Sequence, residues 1–208
     1  RIREVNQMIK VKEYRGHIRN WKVLCGELGI AQSLSREARE EQILIKAYEA
    51  WGYDMADHMH GMFAFALYDT DTHELFCARD HFGIKPFYYY DDPQHFLFAS
   101  EIKGFLDHPD YHKELNTDVL DIYLKMNYVA GEQTFFKNVK QLLPGHYLIY
   151  KNQSIEIKRY YSIAFKDQYK TDQEMIQAID QIMKDSIKHH LIADVEVGSF
   201  LSSGIDSS

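Results

Sequence analysis

An α+β fold is predicted for these 208 residues, with a larger first domain followed by the start of an α/β one. Three observations predict it. Residues 1–60 are charged and helix-rich, and residues 61–161 hold short apolar runs split by polar turns. Residues 162–208 hold one amphipathic stretch, one apolar run and a serine-rich loop. The polar stretch 165–171 is the best boundary, giving domains 1–164 and 165–208.

The elements follow in order. A helix is predicted over 35–51, with Ser35 as N-cap, Ile43, Leu44, Ala47 and Tyr48 on one face, and Gly52 as the stop. A strand over 62–69 alternates Phe63, Phe65 and Leu67 with small residues. A second, 74–79, follows the turn at Asp69–Thr72. A hairpin pairs 86–90 with 95–99 across Asp91-Asp92-Pro93, and Pro86 suits a strand start. A helix over 117–125 has Asp118 and Asp121 near its positive end. Strands 146–150 and 155–161 flank Lys151-Asn152-Gln153. Phe63, Phe65, Phe82, Phe87 and Tyr89 read as core aromatics between two sheets, and Arg79 with Asp80 as a structural ion pair.

In the last zone, residues 171–190 repeat Met175, Ile176, Ile179, Ile182, Met183 and Ile187 at helical spacing, and Thr171 with Glu174 matches a capping box. Residues 196–201 read as a short buried strand.

The net charge is -7 and no basic stripe interleaves with aromatics, which argues against nucleic acid. No apolar run reaches the roughly 20 residues of a membrane helix. Cys25 and Cys77 are too few for a disulfide framework and read as reduced thiols in a cytoplasmic protein. Cys25 with His17 as base makes a poor nucleophile, because a helix interior presents a thiol badly. His58/His60 and His189/His190 lack further ligands at known metal spacing. The chain opens at Arg1 without Met, so its true N-terminus is expected to lie elsewhere.

The loop after residue 201 is the strongest chemical signal. An apolar strand leading into Ser202-Ser203-Gly204-Ile205-Asp206-Ser207-Ser208 suits an anion, because backbone amides and hydroxyls of small residues can close on phosphate. Asp206 would hold Mg²⁺ or fix the loop's amides. The run resembles the Ser-Gly-Gly-x-Asp-Ser motif of the ATP-pyrophosphatase superfamily, with Ser203 in place of the first loop glycine. The resemblance implies ATP binding by Leu201, Ser202, Gly204, Asp206 and Ser207, together with Mg²⁺.

Further stretches narrow the resemblance. Gly61-Met62-Phe63-Ala64-Phe65-Ala66, Ala78-Arg79-Asp80-His81-Phe82-Gly83-Ile84-Lys85-Pro86, Phe98-Ala99-Ser100-Glu101 and Leu143-Pro144-Gly145-His146 resemble glutamine-hydrolysing asparagine synthetases. The likeness is good over about residues 41–208 and poor before them. It implies a stacked α-β-β-α N-terminal-nucleophile glutaminase domain in front. It implies glutamine, aspartate and ATP as substrates, with ammonia passing to an adenylated aspartate. A homodimer is compatible with it.

The same resemblance exposes departures. The family's initial Cys-Gly, its catalytic nucleophile, has no counterpart here, so no catalytic residue is assigned. Asn6-Gln7-Met8-Ile9 resembles an early family helix. Arg15-Gly16-His17 aligns either with the family's Asn-Gly-Glu, which holds the oxyanion, or with its earlier Arg-Gly segment. Ala38-Arg39-Glu40-Glu41 falls where the family has Ser-Asp-Thr-Glu, which sets Arg39 on the Asp that binds the glutamine ammonium. Gly16 and Arg39 are therefore the candidate, degenerate glutamine-pocket residues.

The expected function is ATP-dependent asparagine synthesis with glutamine as ammonia donor, the 208 residues alone being inactive in both half-reactions. The alternatives are a non-catalytic glutaminase-like binding module and a β-lactam-forming relative. The missing front segment has two explanations: a truncated, degenerate product, or ordered segments of a longer protein read as one.

Overall fold

The first described element is a strand, where the charged front zone had suggested helix. A computed structural model describes residues 9–166, 168–169, 171–191 and 195–204. Strand β1 (Ile9–Ile18) pairs antiparallel with β2 (Gly61–Asp69). The pairing shifts between Val11 and Glu13, so Ile9 and Val11 face the core before the bulge, and Tyr14 and Ile18 after it. That switch from odd to even positions hides the period-2 signal. The helix-like reading of Asn6–Ile9 fails at Ile9, and Asn6, Gln7 and Met8 lie outside the described residues.

Two compact units divide the chain, Arg1–Ile163 and Ala164–Ser208. In the first, β1, β2, β3 (Glu74–Arg79), β7 (His146–Lys151) and β8 (Ser154–Arg159) form one antiparallel sheet, in that order. The strands β5 (Phe96–Ala99), β4 (Tyr88–Asp91) and β6 (Val139–Gln141) form a second. The helices α1 (Trp21–Leu28) and α2 (Arg36–Trp51) cover the outer face of the five-stranded sheet. A short 3-10 turn, Ile102–Phe105, packs with Tyr111 against Tyr90 and Val139 of the smaller sheet. The order is α-β-β-α, with the last layer reduced to a turn. Two short helices, α3 (Met55–His58) and α4 (Leu120–Met126), complete the unit.

The caps of α2 match expectation. Ser35 Oγ accepts from the Ala38 amide at 3.3 Å, and Gly52 ends the helix at φ +55. Ile43, Leu44 and Ala47 are completely buried beneath it. Burial of Ile43 or Leu44 contributes about 1.5–3 kcal/mol each.

Alternation along β2 splits two cores. Phe63, Phe65 and Leu67 pack under the helices, while Ala64 and Ala66 face the second sheet with Cys77, Phe87 and Tyr89. Phe87 and Tyr89 thus lie between the sheets as expected, and Phe63 and Phe65 do not. Phe82 is 64% exposed, so it is no core residue. The strand expected from Pro86 begins two residues later, at Tyr88.

In the second unit, α5 (Asp172–His190) starts at Thr171, whose Oγ accepts from the Glu174 amide at 3.2 Å. Residues 196–201 form no strand among the described residues, and Phe200 and Leu201 are exposed. The expected buried strand fails because a strand needs a hydrogen-bonded neighbour, and no described strand pairs with these residues.

Candidate functional site

Gly16 brings β1 close to β2. Its φ is +151, and a Cβ there would lie 2.0 Å from the Met62 carbonyl oxygen, so only glycine fits. On the other side of β1 the first turns of α2 complete a cleft of about 530 Å³, lined among others by Tyr14, Gly16, Arg36, Glu37, Glu40 and Glu41.

Glu40 is the floor of this cleft, and it is 3% exposed. Its Oε1 accepts from the Ile18 amide at 3.1 Å and lies 3.2 Å from His17 Nδ1. Its Oε2 lies 3.5 Å from Arg36 Nε. Arg36 Nη2 donates to the Gly16 carbonyl at 3.1 Å, tying the helix to the strand. A buried carboxylate is tolerated only when paired and hydrogen-bonded in this way.

The neighbours respond to that charge. Burial, and then Arg36, hold the His17 ring below its ordinary pKa of 6.5, against the opposing pull of Glu40. The Tyr14 hydroxyl is buried without a well-formed hydrogen bond, and burial and the Glu40 charge push its pKa up from 10.0.

The candidate pocket residues separate here. Gly16 lines the cleft, as does Glu40. Arg39, one residue before Glu40, turns the other way: its guanidinium lies 3.8 Å over the Trp21 ring, and Nη1 donates to the Leu34 carbonyl at 3.3 Å. It stitches α1 to the start of α2, and it is not among the residues that line the cleft. Arg15 is exposed and pairs with Glu13 at 3.3 Å. Glu40 was missed because its neighbours are charged too, and only the helical phase picks out the one that points inward. Its i,i+4 spacing from Arg36 was the available signal.

Neither cysteine lines the cleft. Cys25 and Cys77 are buried, and burial raises both thiol pKa values. A thiol that resists ionisation inside the core is a poor nucleophile.

A second polar centre closes the far end of β3. Arg79 donates to the carbonyls of Lys85, Leu142 and Gly83 at 2.8, 2.6 and 2.8 Å. Asp80 accepts from the amides of Phe63, Phe82, Ile84 and Lys85 at 3.0–3.2 Å. The expected ion pair between them does not form: each is satisfied by main chain and not by the other. Gly83, at φ +66, fits under Arg79 and Pro144, where a Cβ would meet Pro144 Cγ at 2.7 Å.

Of the loop residues, Leu201 is exposed, and Ser202 Oγ accepts from the Gly204 amide at 3.3 Å. Asp206 and Ser207 lie outside the described residues. Among the described residues no cluster of His, Cys, Asp and Glu is arranged to hold a metal ion, and no helix is long and apolar enough to cross a membrane.

Residues 5–161 match the family described as a glutamine amidotransferase domain, and residues 178–208 match the one described as asparagine synthase. The chain is 32% identical over 197 residues to "Asparagine synthetase [glutamine-hydrolyzing] 3" of Bacillus subtilis, covering 94% of this chain and 32% of that protein. It is 32% identical over 200 residues to "Putative asparagine synthetase [glutamine-hydrolyzing] 2" of Methanocaldococcus jannaschii, covering 94% and 38%. The chain therefore spans about a third of the length of these relatives. A solved structure titled as the allosteric regulatory enzyme of purine biosynthesis superposes with TM-score 0.50 at 16% identity, over 76% of this chain and 30% of that one. That likeness bears on the fold alone.

Proposed function

This chain belongs to the glutamine amidotransferase domain family, and we propose that it acts in glutamine-dependent asparagine synthesis. Residues 1–164 form the amidotransferase-like domain, and residues 165–208 open the synthetase domain. The observation that carries the reading is the buried Glu40 carboxylate beside Gly16 in the β1–α2 cleft.

Glutamine carries an α-ammonium, and Glu40 supplies the charge to hold it. Glu40 takes the role that the alignment had set on Arg39, one residue away. Arg36 places a cation beside that anion, which matches the adjacent ammonium and carboxylate of an amino acid. The close β1–β2 approach at Gly16 fixes the strand that walls the cleft. Hydrolysis of the amide also needs a thiolate, which these cleft residues do not supply. The 208 residues are therefore proposed to bind glutamine without hydrolysing it.

In the second domain, Leu201, Ser202, Gly204, Asp206 and Ser207 are the proposed ATP-binding residues. The turn that draws the Gly204 amide to the Ser202 hydroxyl suits the close approach of a phosphate. ATP with Mg²⁺ would supply the adenylyl group that activates the aspartate side chain. The chain's own loop would orient the phosphates through its hydroxyls and amides.

The cleft without a thiol also favours a second reading, a non-catalytic glutamine-binding module. Calorimetry with L-glutamine, on this chain and on Glu40→Gln, tests the shared premise. Saturable binding lost in the variant supports it, and equal binding by both proteins removes Glu40 from the site. Glutaminase activity from these residues alone would overturn the binding-only assignment.

A further inference from the structure

We propose that His17 is a proton-responsive positioning residue for Glu40. With its ring neutral, Glu40 answers only to Arg36 and the Ile18 amide, and the rest of its charge faces the cleft. With its ring protonated, His17 takes that charge for itself. The ligand invoked rests on the glutamine-pocket reading, but the coupling between the two side chains does not.

The geometry is specific. The two side chains are 12% and 4% exposed, and Nδ1 of His17 lies 3.2 Å from Oε1 of Glu40. Neither ring nitrogen of His17 makes a well-formed hydrogen bond, although both are buried, and the Glu40 carboxylate beside Nδ1 is the nearest acceptor. Buried side-chain nitrogens without a well-formed hydrogen bond are exceptions among folded proteins. Adding a proton at Nδ1 turns the contact into a charge-assisted bond. The ring is thus placed where one proton strengthens the contact it already makes with Glu40.

Among the described residues, the charged groups acting on the ring lie on the elements around it. From α2, Arg36 opposes protonation and Glu40 favours it. From the turn after β1, Arg19 opposes it. Tyr14, on β1 itself, holds its proton more firmly than usual and stays neutral as the pH falls. Two cations and burial hold the ring neutral near pH 7, and one anion draws the proton on when the pH falls. Proton uptake needs no other change than the shift of Glu40 Oε1 from the Ile18 amide alone to the amide and imidazolium together.

The consequence is competition. A ligand ammonium and the imidazolium call on the same carboxylate, so binding of one disfavours the other by an equal factor. If only the neutral-ring form binds, affinity falls about tenfold for each pH unit below the His17 midpoint.

The test uses the 208-residue chain. The His17 ring is followed by NMR from pH 4.5 to about 8, a window that brackets the ordinary His range. Glu40→Gln should lower the His17 midpoint, and Arg36→Gln should raise it. If either variant fails to fold, the other still decides. A midpoint unmoved in the folded variant overturns the proposal.

L-glutamine affinity is then measured over the same range. It should fall on the acid side in the parent and stay level in His17→Gln. A level profile in the parent, with the midpoints moving as expected, overturns the positioning role. If glutamine binds at no pH while the midpoints move as expected, the glutamine-pocket reading fails and the proton coupling stands.

Discussion

Arg79 and Asp80 are neighbours in sequence that satisfy opposite polar groups of the same loop: Arg79 takes the Gly83 and Lys85 carbonyls and Asp80 the Phe82, Ile84 and Lys85 amides, while Leu142 and Phe63 anchor the pair to the rest of the fold. Between them they fix residues 82–85, so that Phe82 stands exposed on a rigid turn. Asp80 is 1% exposed, and its loss would strand buried amides. Asp80→Asn replaces one acceptor oxygen by a donor that faces other donors. It should lower stability by about 2–4 kcal/mol, since bonds to a charged group are worth about 1.5–3 kcal/mol each and an unsatisfied buried amide adds to the loss. Urea unfolding measures it. A change within experimental error would mean that the loop holds without its carboxylate.

The Gly16 backbone supports the cleft by a different constraint, a steric one. Any Cβ at this position meets the Met62 carbonyl at 2.0 Å and Phe63 Cα at 2.8 Å. Those atoms belong to β2, an inner strand paired on both sides, and cannot give way alone. Gly16→Ala should cost at least the 1–3 kcal/mol typical of forced backbone strain, about 3 kcal/mol with the clash included. It should also weaken glutamine binding, because β1 must move away from β2 and carries the cleft wall with it. Equal stability for the variant would show that the β1–β2 approach is looser than this geometry requires.

Much of the first unit was legible in the sequence because its strands alternate and its turns carry strong turn residues. Residues 74–79 form a strand with the predicted bounds, and Ser35 caps the predicted helix; in the second unit Thr171 does the same. β1 was illegible for a physical reason: the bulge at Val11/Glu13 moves its core side chains from odd to even positions. The inward turn of Glu40 was equally hidden. In a run of four charged or polar residues, 39–42, only packing decides which side chain is buried, and here Arg39 goes to Trp21 and Glu40 to the cleft. The exposure of Phe82 was hidden too, because a loop held by main-chain bonds needs no apolar burial to be fixed.

Two partly buried imidazoles set an acid limit on stability. His81 sits edge-on to Tyr160 and Tyr161, and burial lowers its pKa from 6.5, with Asp80 and Asp57 opposing and His60 adding to the shift. His17 is lowered as well. A folded-state pKa below the unfolded one means that the unfolded chain binds more protons. The stability contribution is complete above pH 6.5, falls as the pH drops through the folded-state values, and levels off below them. Urea midpoints taken between pH 7.5 and about 5 should therefore decrease, and the decrease should be smaller in His81→Gln, which has no such proton to gain. Parallel profiles for the two proteins would mean that His81 titrates alike folded and unfolded.

The thiols separate a structural chain from a hidden nucleophile. Cys25 and Cys77 are 1% and 0% exposed, both with pKa raised by burial. Thiol reagents attack the thiolate and need access, so neither residue offers a reactive form in the native state. Arg39 lies near enough to Cys25 to lower its pKa, but burial outweighs it. Ellman's reagent at pH 8 should therefore label no thiol in the folded chain and two in denaturant, with any native labelling limited by opening of the core. Fast labelling of one thiol in the native state would identify an accessible thiolate. It would also return catalysis by these residues to consideration, because the case for binding without hydrolysis depends on the absence of an available nucleophile at the cleft.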